Sequence, residues 1–361
     1  MNDIVKILPN FKKFNDYISN VKDNTSPIML SGLTDSGKVH FAYSTYFYAE
    51  KPICIITYNE LQAKKIIRNL EYFENNINYF PKKEILAYDY LAESKDITYS
   101  RIACLNEIHK KQAKIIVTTI EAVSQKIIPE DVLYKNILEL KIGDVINLEE
   151  IKQKLVLLGY ERQDVVENKS EFSVRGGIID VAISEKQGIR IELWGDEIDS
   201  IRTFDINTQR SLEKRENIKI YPAHEFLLDK PLEEVAKDIQ DQRDKEEILE
   251  GNFTNKIDKY WNKFYNNPDN TFIDYIKDNY IIFIDEVSKI KARSENVIKD
   301  TKLLMQNLVE KKRYIPELLE KIEDYIEFLD RIKSIQTIYL ENKDIGFVDK
   351  QSMHAKRNGY S

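Results

Sequence analysis

Cysteine and histidine are both scarce in this sequence, with 2 and 4 copies among 361 residues. Cys54 and Cys104 lie far apart within apolar runs. A disulfide framework is therefore excluded, and both are expected to be reduced core residues of a cytosolic protein. His224 has no second histidine or cysteine at ligand spacing, so we expect it to be structural and expect no metal site.

The sequence also lacks long apolar runs and an excess of positive charge. No run approaches the length that spans a bilayer, and the amino terminus has no signal pattern, so we expect a cytoplasmic protein with no membrane partner. The net charge of -7 disfavours broad binding to bare phosphate backbone. With 42% hydrophobic and 32% charged residues, the chain is long enough for two or three compact units.

Buried strands alternate with amphipathic helices in the first third of the chain. Pro52–Thr57 and Lys114–Thr119 are continuous apolar runs, which is typical of strands buried on both faces. Between them, LQAKKIIRNLEYF carries the apolar stripe of a helix. This alternation with short connections predicts an α/β fold whose parallel sheet has helices on both faces.

A phosphate-loop pattern stands between an early strand and the helix that follows it. Gly32, Gly37 and Lys38 fit the GxxxxGK frame in strand–loop–helix context. The next residue is Val39, so the hydroxyl that would bind magnesium is missing, and Asp35 places a carboxylate where phosphate would lie. The loop is either an active nucleotide site or a retired turn, and these two departures favour the retired turn.

A second nucleotide-site pattern ends a later apolar strand. Tyr280–Glu286 reads YIIFIDE, and the pair Asp285 and Glu286 has the form of a Walker B motif, with one carboxylate for magnesium and one to activate water. Because Val39 leaves the magnesium site incomplete, we interpret this pair as a remnant too. We expect no catalytic residue and no cofactor in this chain.

The stretch from Glu161 to Glu213 has a different pattern. Apolar and polar residues alternate along it, as in half-buried antiparallel strands, and Gly176-Gly177 marks a turn. This predicts a small mixed α+β domain inserted in the parallel-sheet fold. The stretch also carries arginines beside acidic runs: Arg162, Arg175, Arg190 and Arg202.

Several long motifs carry a family resemblance. FSVRGGIIDV, RIELWGDEIDSIRTFD, SRIACLNEI and KIIVTTIEAVSQKIIP resemble the amino-terminal third of bacterial transcription-repair coupling factor. In that family this region is itself similar to the excinuclease protein UvrB, and the first two motifs belong to the domain that grips its partner in excision repair, UvrA. The layout around them resembles one half of a helicase core in degenerate form.

The resemblance implies a recruitment module. The full family member is an ATP-dependent double-stranded-DNA translocase that pushes stalled RNA polymerase off a lesion. Its polymerase-binding module and its motor, which uses ATP and magnesium, lie downstream of the region matched here. The chain ends in KRNGYS without a closing element, so we expect a fragment of a longer protein.

The resemblance also implies the residues that bind UvrA. They correspond to Arg162, Arg175, Arg190 and Glu192, while Ser173 stands where UvrB has a further arginine. The alternative is that these arginines simply pair with neighbouring carboxylates, at ~0–1 kcal/mol per exposed pair. Because arginine is enriched at interface hot spots, the resemblance favours an interface.

Two classes of function stay open, a silent recruitment module and an ATP-driven DNA enzyme like UvrB. UvrB clamps DNA with a long aromatic hairpin in the region of Tyr79 to Arg101, and that segment is too short here. Its tyrosines Tyr88, Tyr90 and Tyr99 could stack on bases, but scattered tyrosines in a chain with 21 of them are more often packing residues, so DNA clamping is not supported. The short hairpin region, the two loop departures and the missing second helicase half favour recruitment.

The expected domain boundaries follow from these patterns. Residues 1–129 form the first part of the degenerate helicase-like domain, and residues 130–219 form the inserted UvrA-binding domain. Residues 220–361 return to the helicase-like domain, with the Walker-B-like remnant and a helical segment.

Overall fold

The structure is a computed structural model, and it describes residues 3–83, 95–239, 241–250, 260–310 and 317–342. Tyr88 and Tyr90, two of the tyrosines that could stack on bases, lie outside these ranges. Within them, no helix combines the length and the apolar character that crossing a membrane would require.

The helices and strands of the described ranges are given in chain order. The helices are α1 Lys12–Lys22, α2 Asp35–Ala49, α3 Glu60–Leu70, α4 Lys95–His109, α5 Ile120–Val123, α6 Glu130–Lys135, α7 Leu148–Leu157, α8 Leu232–Lys237, α9 Gln242–Leu249, α10 Trp261–Phe264, α11 Phe272–Ile276, α12 Val287–Glu310, α13 Glu317–Glu320 and α14 Tyr325–Ile332. The strands are β1 Ile28–Leu30, β2 Ile53–Thr57, β3 Ile77–Phe80, β4 Ile115–Thr119, β5 Leu138–Lys141, β6 Glu161–Arg162, β7 Glu171–Arg175, β8 Ile178–Ala182, β9 Gln187–Trp194, β10 Glu197–Asp205, β11 Ser211–Arg215, β12 Asn217–Ile220, β13 Ile281–Asp285 and β14 Thr337–Leu340.

The chain forms two compact units. The first unit contains residues 1–87, 107–126 and 271–361, and the second contains residues 88–106 and 127–270. The main part of the second unit is therefore inserted between two segments of the first, and it covers a wider range than the predicted 130–219.

The first unit is built on a parallel sheet of six strands in the order β1-β14-β13-β2-β4-β3. Every residue of β2, β4 and β13 is buried, which explains why these strands read as continuous apolar runs. Alternate residues such as Ile53 and Ile55 share a core with α1, α2 and α3, and the residues between them face the opposite side of the sheet. The predicted α/β fold is confirmed.

The order of the strands in the parallel sheet determines which strand ends lie close together. In a parallel sheet, the carboxyl ends of the strands lie at one edge, where ligand sites of α/β proteins form. Here β1 leads into the Gly32 loop, β2 ends at Thr57 and β13 ends at Asp285. The two remnant motifs are therefore neighbours in space although more than two hundred residues separate them.

The second unit contains a six-stranded sheet in the order β11-β10-β9-β8-β7-β6 and a two-stranded sheet of β12 and β5. Its strand pairs are antiparallel except for the parallel pair of β6 and β7. The predicted mixed α+β unit with antiparallel strands is confirmed.

A glycine ends helix α7 for a steric reason. Gly159 has φ +90°, and a Cβ there would lie 2.2 Å from Cδ2 of His224. The His224 ring donates from Nε2 to the carbonyl of Leu157 at 3.0 Å and accepts from the backbone N–H of Phe226 at 3.3 Å. His224 is therefore a structural residue that holds the chain after β12 against the end of the helix.

The six-stranded sheet of the second unit has one apolar face and one charged face. Because directly paired residues point to the same face and successive residues alternate, the strand register sorts the side chains. One face is apolar and buried: Phe172, Ile179, Val181, Ile189, Ile191 and Ile201. The opposite face, called the charged face below, carries Ser173, Arg175, Asp180, Arg190, Glu192, Ser200 and Arg202.

Candidate functional site

The phosphate-loop remnant is a capped turn into a helix. Gly32 has φ +74°, a left-handed conformation that glycine adopts without strain. The side chain of Thr34 then accepts a hydrogen bond at 3.1 Å from the backbone N–H of Gly37, which caps α2. The left-handed Gly32 and the Thr34 cap therefore account for the strand-to-helix connection.

Lys38 is buried and paired with both carboxylates of the second remnant. Its Nζ lies 2.7 Å from Oδ1 of Asp285 and also donates to Oε1 of Glu286. Lys38 is 3% exposed and Asp285 is 1% exposed. A lysine so deeply buried requires partners, and these two carboxylates supply them.

Other polar groups complete the coordination of the two carboxylates. Oδ2 of Asp285 accepts from Oγ1 of Thr57 at 2.8 Å and from Nε2 of Gln62 at 3.3 Å. Oε1 of Glu286 also accepts from the backbone N–H of Asn342 at 2.7 Å. The cluster of Lys38, Asp285, Glu286, Thr57 and Gln62, called the Lys38 cluster below, is thus held by contacts within the first unit.

The pKa shifts of Lys38 and Glu286 indicate that both residues are charged in the Lys38 cluster. Burial by itself would lower the pKa of Lys38, but the hydrogen bonds to Asp285 and Glu286 hold that pKa above its ordinary value. Burial would likewise raise the pKa of Glu286, but the bonds from Lys38 and from the backbone of Asn342 hold it below its ordinary value. Each partner therefore stabilises the charged form of the other.

Asp35, the unusual carboxylate in the loop, also has internal partners. Oδ2 accepts from Nζ of Lys65 at 2.5 Å, and Oδ1 accepts from Nδ2 of Asn342 at 3.1 Å. The hydrogen bond from Lys65 is the main reason that the pKa of Asp35 lies below its ordinary value. A negative charge is therefore fixed at the mouth of the loop.

These residues do not fit a magnesium–nucleotide group. Position 39 has no hydroxyl for the metal, and Lys38 is paired with both the carboxylate that would bind the metal and the one that would activate water. The cavity bordered by Lys38, Gln62 and Asp285 has a volume of about 10 Å³, which is room for about one water molecule.

On the charged face, Arg175 and Arg190 converge on one buried carboxylate. Asp180 is 1% exposed, and its oxygens accept from Nε of Arg190 at 2.6 Å and from Nη2 of Arg190 at 2.9 Å. Nη2 of Arg175 donates to the same carboxylate at 2.9 Å. Register explains the pairing, because Asp180 lies directly opposite Arg190.

Arg175 and Arg190 differ in the exposed fraction of their side chains. The Arg190 side chain is 16% exposed; it also donates to Gln209 at 3.3 Å and its guanidinium lies 4.7 Å from the ring centre of Phe204. The Arg175 side chain is 49% exposed and makes one ion pair, with Asp180. Arg175 is therefore the more accessible of these two arginines, and Arg190 is built into the face.

Glu192 lies on the same face and has two partners there, Ser200 and Arg202. It pairs with Nη2 of Arg202 and accepts from Oγ of Ser200 at 2.7 Å. The hydrogen bond from Ser200 is the main reason that the pKa of Glu192 lies below its ordinary value. Glu192 therefore presents a negative charge on the charged face, next to positive ones.

Arg162 is not brought to this face. Its strand pairs in parallel with β7, and the register sets Arg162 beside Phe172, which belongs to the apolar face. Arg162 also helps to lower the pKa of Glu149 in the first turn of α7, where the hydrogen bond from Lys152 is the main cause. The structure thus brings together three of the four predicted residues: Arg175, Arg190 and Glu192.

Asp180 is the residue that the sequence analysis missed. The sequence did contain a sign of its role, because a single aspartate interrupts the apolar run of β8. A charge buried in a strand requires partners. Ser173, directly opposite Asp180, has a buried hydroxyl without a hydrogen-bond partner among the described residues. Asp180 thus draws its cations from Arg190, directly opposite on β9, and from Arg175, diagonally opposite on β7.

Comparison with known families identifies the second unit's kind of domain. Residues 138–226 match the family model described as UvrB interaction domain. The match begins at β5, ends beyond β12 and includes the whole six-stranded sheet, and therefore the charged face. Fold and match together define a chain that carries a domain of the UvrB-interaction type inserted in a parallel-sheet unit.

Individual relatives agree with this match. The chain is 28% identical over 344 residues to the transcription-repair-coupling factor of Bacillus subtilis (strain 168), covering 88% of this chain and 29% of that protein. It is 26% identical over 321 residues to the protein of the same name from Staphylococcus aureus (strain MRSA252), covering 82% of this chain and 28% of that protein. These similarities confirm the resemblance inferred from the sequence, and the chain spans less than a third of the length of these relatives.

Proposed function

We propose that this chain is a non-catalytic recruitment module of a transcription-repair coupling factor and that its charged face binds UvrA. The supporting observation is the half-exposed Arg175, whose guanidinium is fixed on the buried Asp180. A guanidinium fork held in one orientation engages a partner carboxylate with little further loss of entropy. The match of this sheet to a UvrB interaction domain supports the same surface.

We propose that the rest of the function belongs to a longer protein, because the chain covers less than a third of the length of the relatives it matches. In it, we propose, a downstream motor uses ATP and magnesium to move on double-stranded DNA and acts on RNA polymerase stalled at damage, while this module brings UvrA to the site in the cytoplasm. The similarity over most of this chain to proteins named transcription-repair-coupling factor supports this assignment.

Arg175→Ala is expected to weaken UvrA binding by about 2 kcal/mol if Arg175 is a central contact, with a change in unfolding free energy of about 0.5 kcal/mol or less. Isothermal titration calorimetry against purified UvrA measures the first quantity, and urea unfolding measures the second. Affinity should fall as salt rises, since exposed charges are screened within about 8–10 Å.

The matched control is Arg215→Ala. Arg215 is 50% exposed, makes one ion pair with Glu213 and lies opposite Ile201 of the apolar face. Its removal should leave UvrA affinity nearly unchanged. Equal losses for Arg175→Ala and Arg215→Ala would show that net charge, rather than the charged face, determines binding.

We also propose that this chain does not hydrolyse ATP, because position 39 has no hydroxyl for magnesium and Lys38 is paired with Asp285 and Glu286. Steady-state assays with and without double-stranded DNA should give the rate of a protein-free blank, and magnesium–ATP should leave the melting temperature unchanged. Turnover that Glu286→Gln abolishes would instead establish an ATP-driven enzyme.

A further inference from the structure

The main part of the second unit, residues 127–270, is joined to the first unit at two points. The chain leaves the first unit after Lys126 and re-enters it at Thr271. These two residues face each other in an antiparallel bridge, and the backbone N–H of Ile127 donates to the carbonyl of Asn270 at 2.9 Å. The exit and the re-entry of the chain, called the two crossings below, therefore run side by side.

A third segment of the first unit, the turn between α13 and α14, is bonded to the exit crossing. The backbone N–H of Lys126 donates to the carbonyl of Lys321 at 2.8 Å, and the backbone N–H of Glu323 donates to the carbonyl of Ser124 at 2.8 Å. The exit crossing is thus held by a segment that lies almost two hundred residues further along the chain.

A row of buried charges connects this turn to both crossings. Oε1 of Glu323 accepts from Nζ of Lys126 at 2.6 Å and from Nε of Arg331 at 2.5 Å. Nη1 of Arg331 donates to Oδ2 of Asp274 at 3.0 Å, and the same oxygen accepts from the backbone N–H of Thr271 at 2.8 Å. Lys126, Glu323, Arg331 and Asp274, called the charge clasp below, have side chains between 4% and 18% exposed.

The charge clasp depends on one shared atom. Oε1 of Glu323 serves both cations, whereas Oε2 of Glu323 is buried without a hydrogen-bond partner among the described residues. A buried charge network that loses one link leaves its remaining charges poorly compensated, so the links stabilise one another. Opening at one end should therefore open the other end as well.

We propose that the charge clasp is a conformational switch that fixes or frees both crossings together. Glu323 directly precedes α14 and Arg331 lies on α14, so a displacement of α14 separates Glu323 from Lys126 and Arg331 from Asp274 in one movement. In the closed state both crossings are held within the first unit. In the open state the residues at positions 126 and 271 lose their anchors at the same time, and α14 is the element that controls them.

The first test is native-state hydrogen exchange read at single amides. In the wild type, the amides of Lys126, Thr271 and Glu323 should report one common opening free energy. Arg331→Lys keeps the positive charge but lacks the planar fork that reaches two carboxylates. It should speed exchange at all three amides by a similar factor of about tenfold or more, although Lys126 makes no printed contact with position 331 other than through Glu323.

The matched control is Asp330→Asn, on the same helix. Asp330 is 68% exposed and pairs with Lys333 at 3.6 Å, outside the charge clasp. Exchange at the three amides should change less than about threefold.

The second test uses trypsin, which cleaves after lysine. Glu323→Gln removes the charge that Lys126 and Arg331 share, so cleavage after Lys126 should become at least about tenfold faster than in the wild type, in proportion to the open population. Circular dichroism establishes that this variant is folded. If it does not fold, Arg331→Lys is digested in its place and should show the same acceleration.

Three results would overturn the proposal. The first is a wild type in which the amides of Lys126 and Thr271 open with clearly different free energies. The second is an Arg331→Lys variant in which only Thr271 exchanges faster, since the two crossings would then be held independently. The third is an equal acceleration in β2 and β13, which would show a general loss of stability instead of a local switch.

Discussion

Lys38→Met is expected to lower the unfolding free energy of the first unit by about 3–5 kcal/mol, the cost of breaking a buried ion pair by removing one partner. Methionine replaces the stem of the side chain but leaves Asp285 and Glu286 without their cation. Asp285 is 1% exposed, so bulk solvent does not hydrate it in place of the lost ammonium group. Urea unfolding followed by hydrogen exchange in β2 and β13 would measure the loss in this unit.

Two further variants isolate the cause. Lys65→Met removes an exposed lysine that pairs with Asp35 and should have little effect. Combining Lys38→Met with Asp285→Asn and Glu286→Gln removes the unpaired charges and should restore most of the stability, since a buried ion cluster is often replaced at little net cost. A combined variant as unstable as Lys38→Met alone would contradict the electrostatic explanation.

The same variant should change the response to acid. In the wild type, the pKa of Glu286 is held below its ordinary 4.5, so its contribution is present above that pH and is lost as pH falls through the lowered value. Lys38 has a raised pKa, so its contribution is lost only as pH rises through that raised value. Without Lys38, the effect of burial dominates at Glu286 and raises its pKa. The unfolding free energies of the variant and the wild type should therefore differ less at pH 5 than at pH 7.

Asp180→Asn is expected to have a double effect, on folding and on UvrA binding. It removes the carboxylate that accepts three hydrogen bonds from Arg175 and Arg190. Arg190 is largely buried, so the unfolding free energy of the second unit should fall by about 3 kcal/mol. Because the Arg175 fork is then no longer held in place, affinity for UvrA should fall about tenfold, or about 1.4 kcal/mol.

The combination distinguishes Asp180 from a direct contact. Calorimetry and urea unfolding on the same sample give both quantities, and Asp199→Asn, the same change at an exposed position of β10, serves as the control. Loss of affinity without loss of stability would mean that Asp180 faces the partner directly and would contradict its role as the fixed base for Arg175.

The fold class and the unusual features of the nucleotide loop could be predicted because their signals are local. Buried strands read as apolar runs in β2, β4 and β13, and the alternation in β7 to β10 indicated antiparallel strands. Val39 and Asp35 depart from the phosphate-loop pattern at single positions, which needs no structure to see. The long motifs around Arg175 and Trp194 carried the family resemblance in the same direct way.

The side-chain pairings between strands could not be predicted from the sequence, because they depend on strand order and register. Periodicity tells which residues of a strand share a face, but it does not say which strand lies alongside or with what offset. It therefore could not show that Arg162 lies beside Phe172, nor that Asp180 lies opposite Arg190.

The sequence by itself thus determined the kinds of element, their order and the missing magnesium ligand. Only the tertiary structure decided that Lys38 meets carboxylates 247 and 248 positions away, and that Trp194 stays exposed while Trp261 is buried. The physical reason is that burial and charge pairing are properties of the packed chain. The lysine and the two carboxylates, which the sequence indicates as the remnant of a nucleotide site, form an internal ion cluster once the strand ends that carry them are brought to one edge of the sheet.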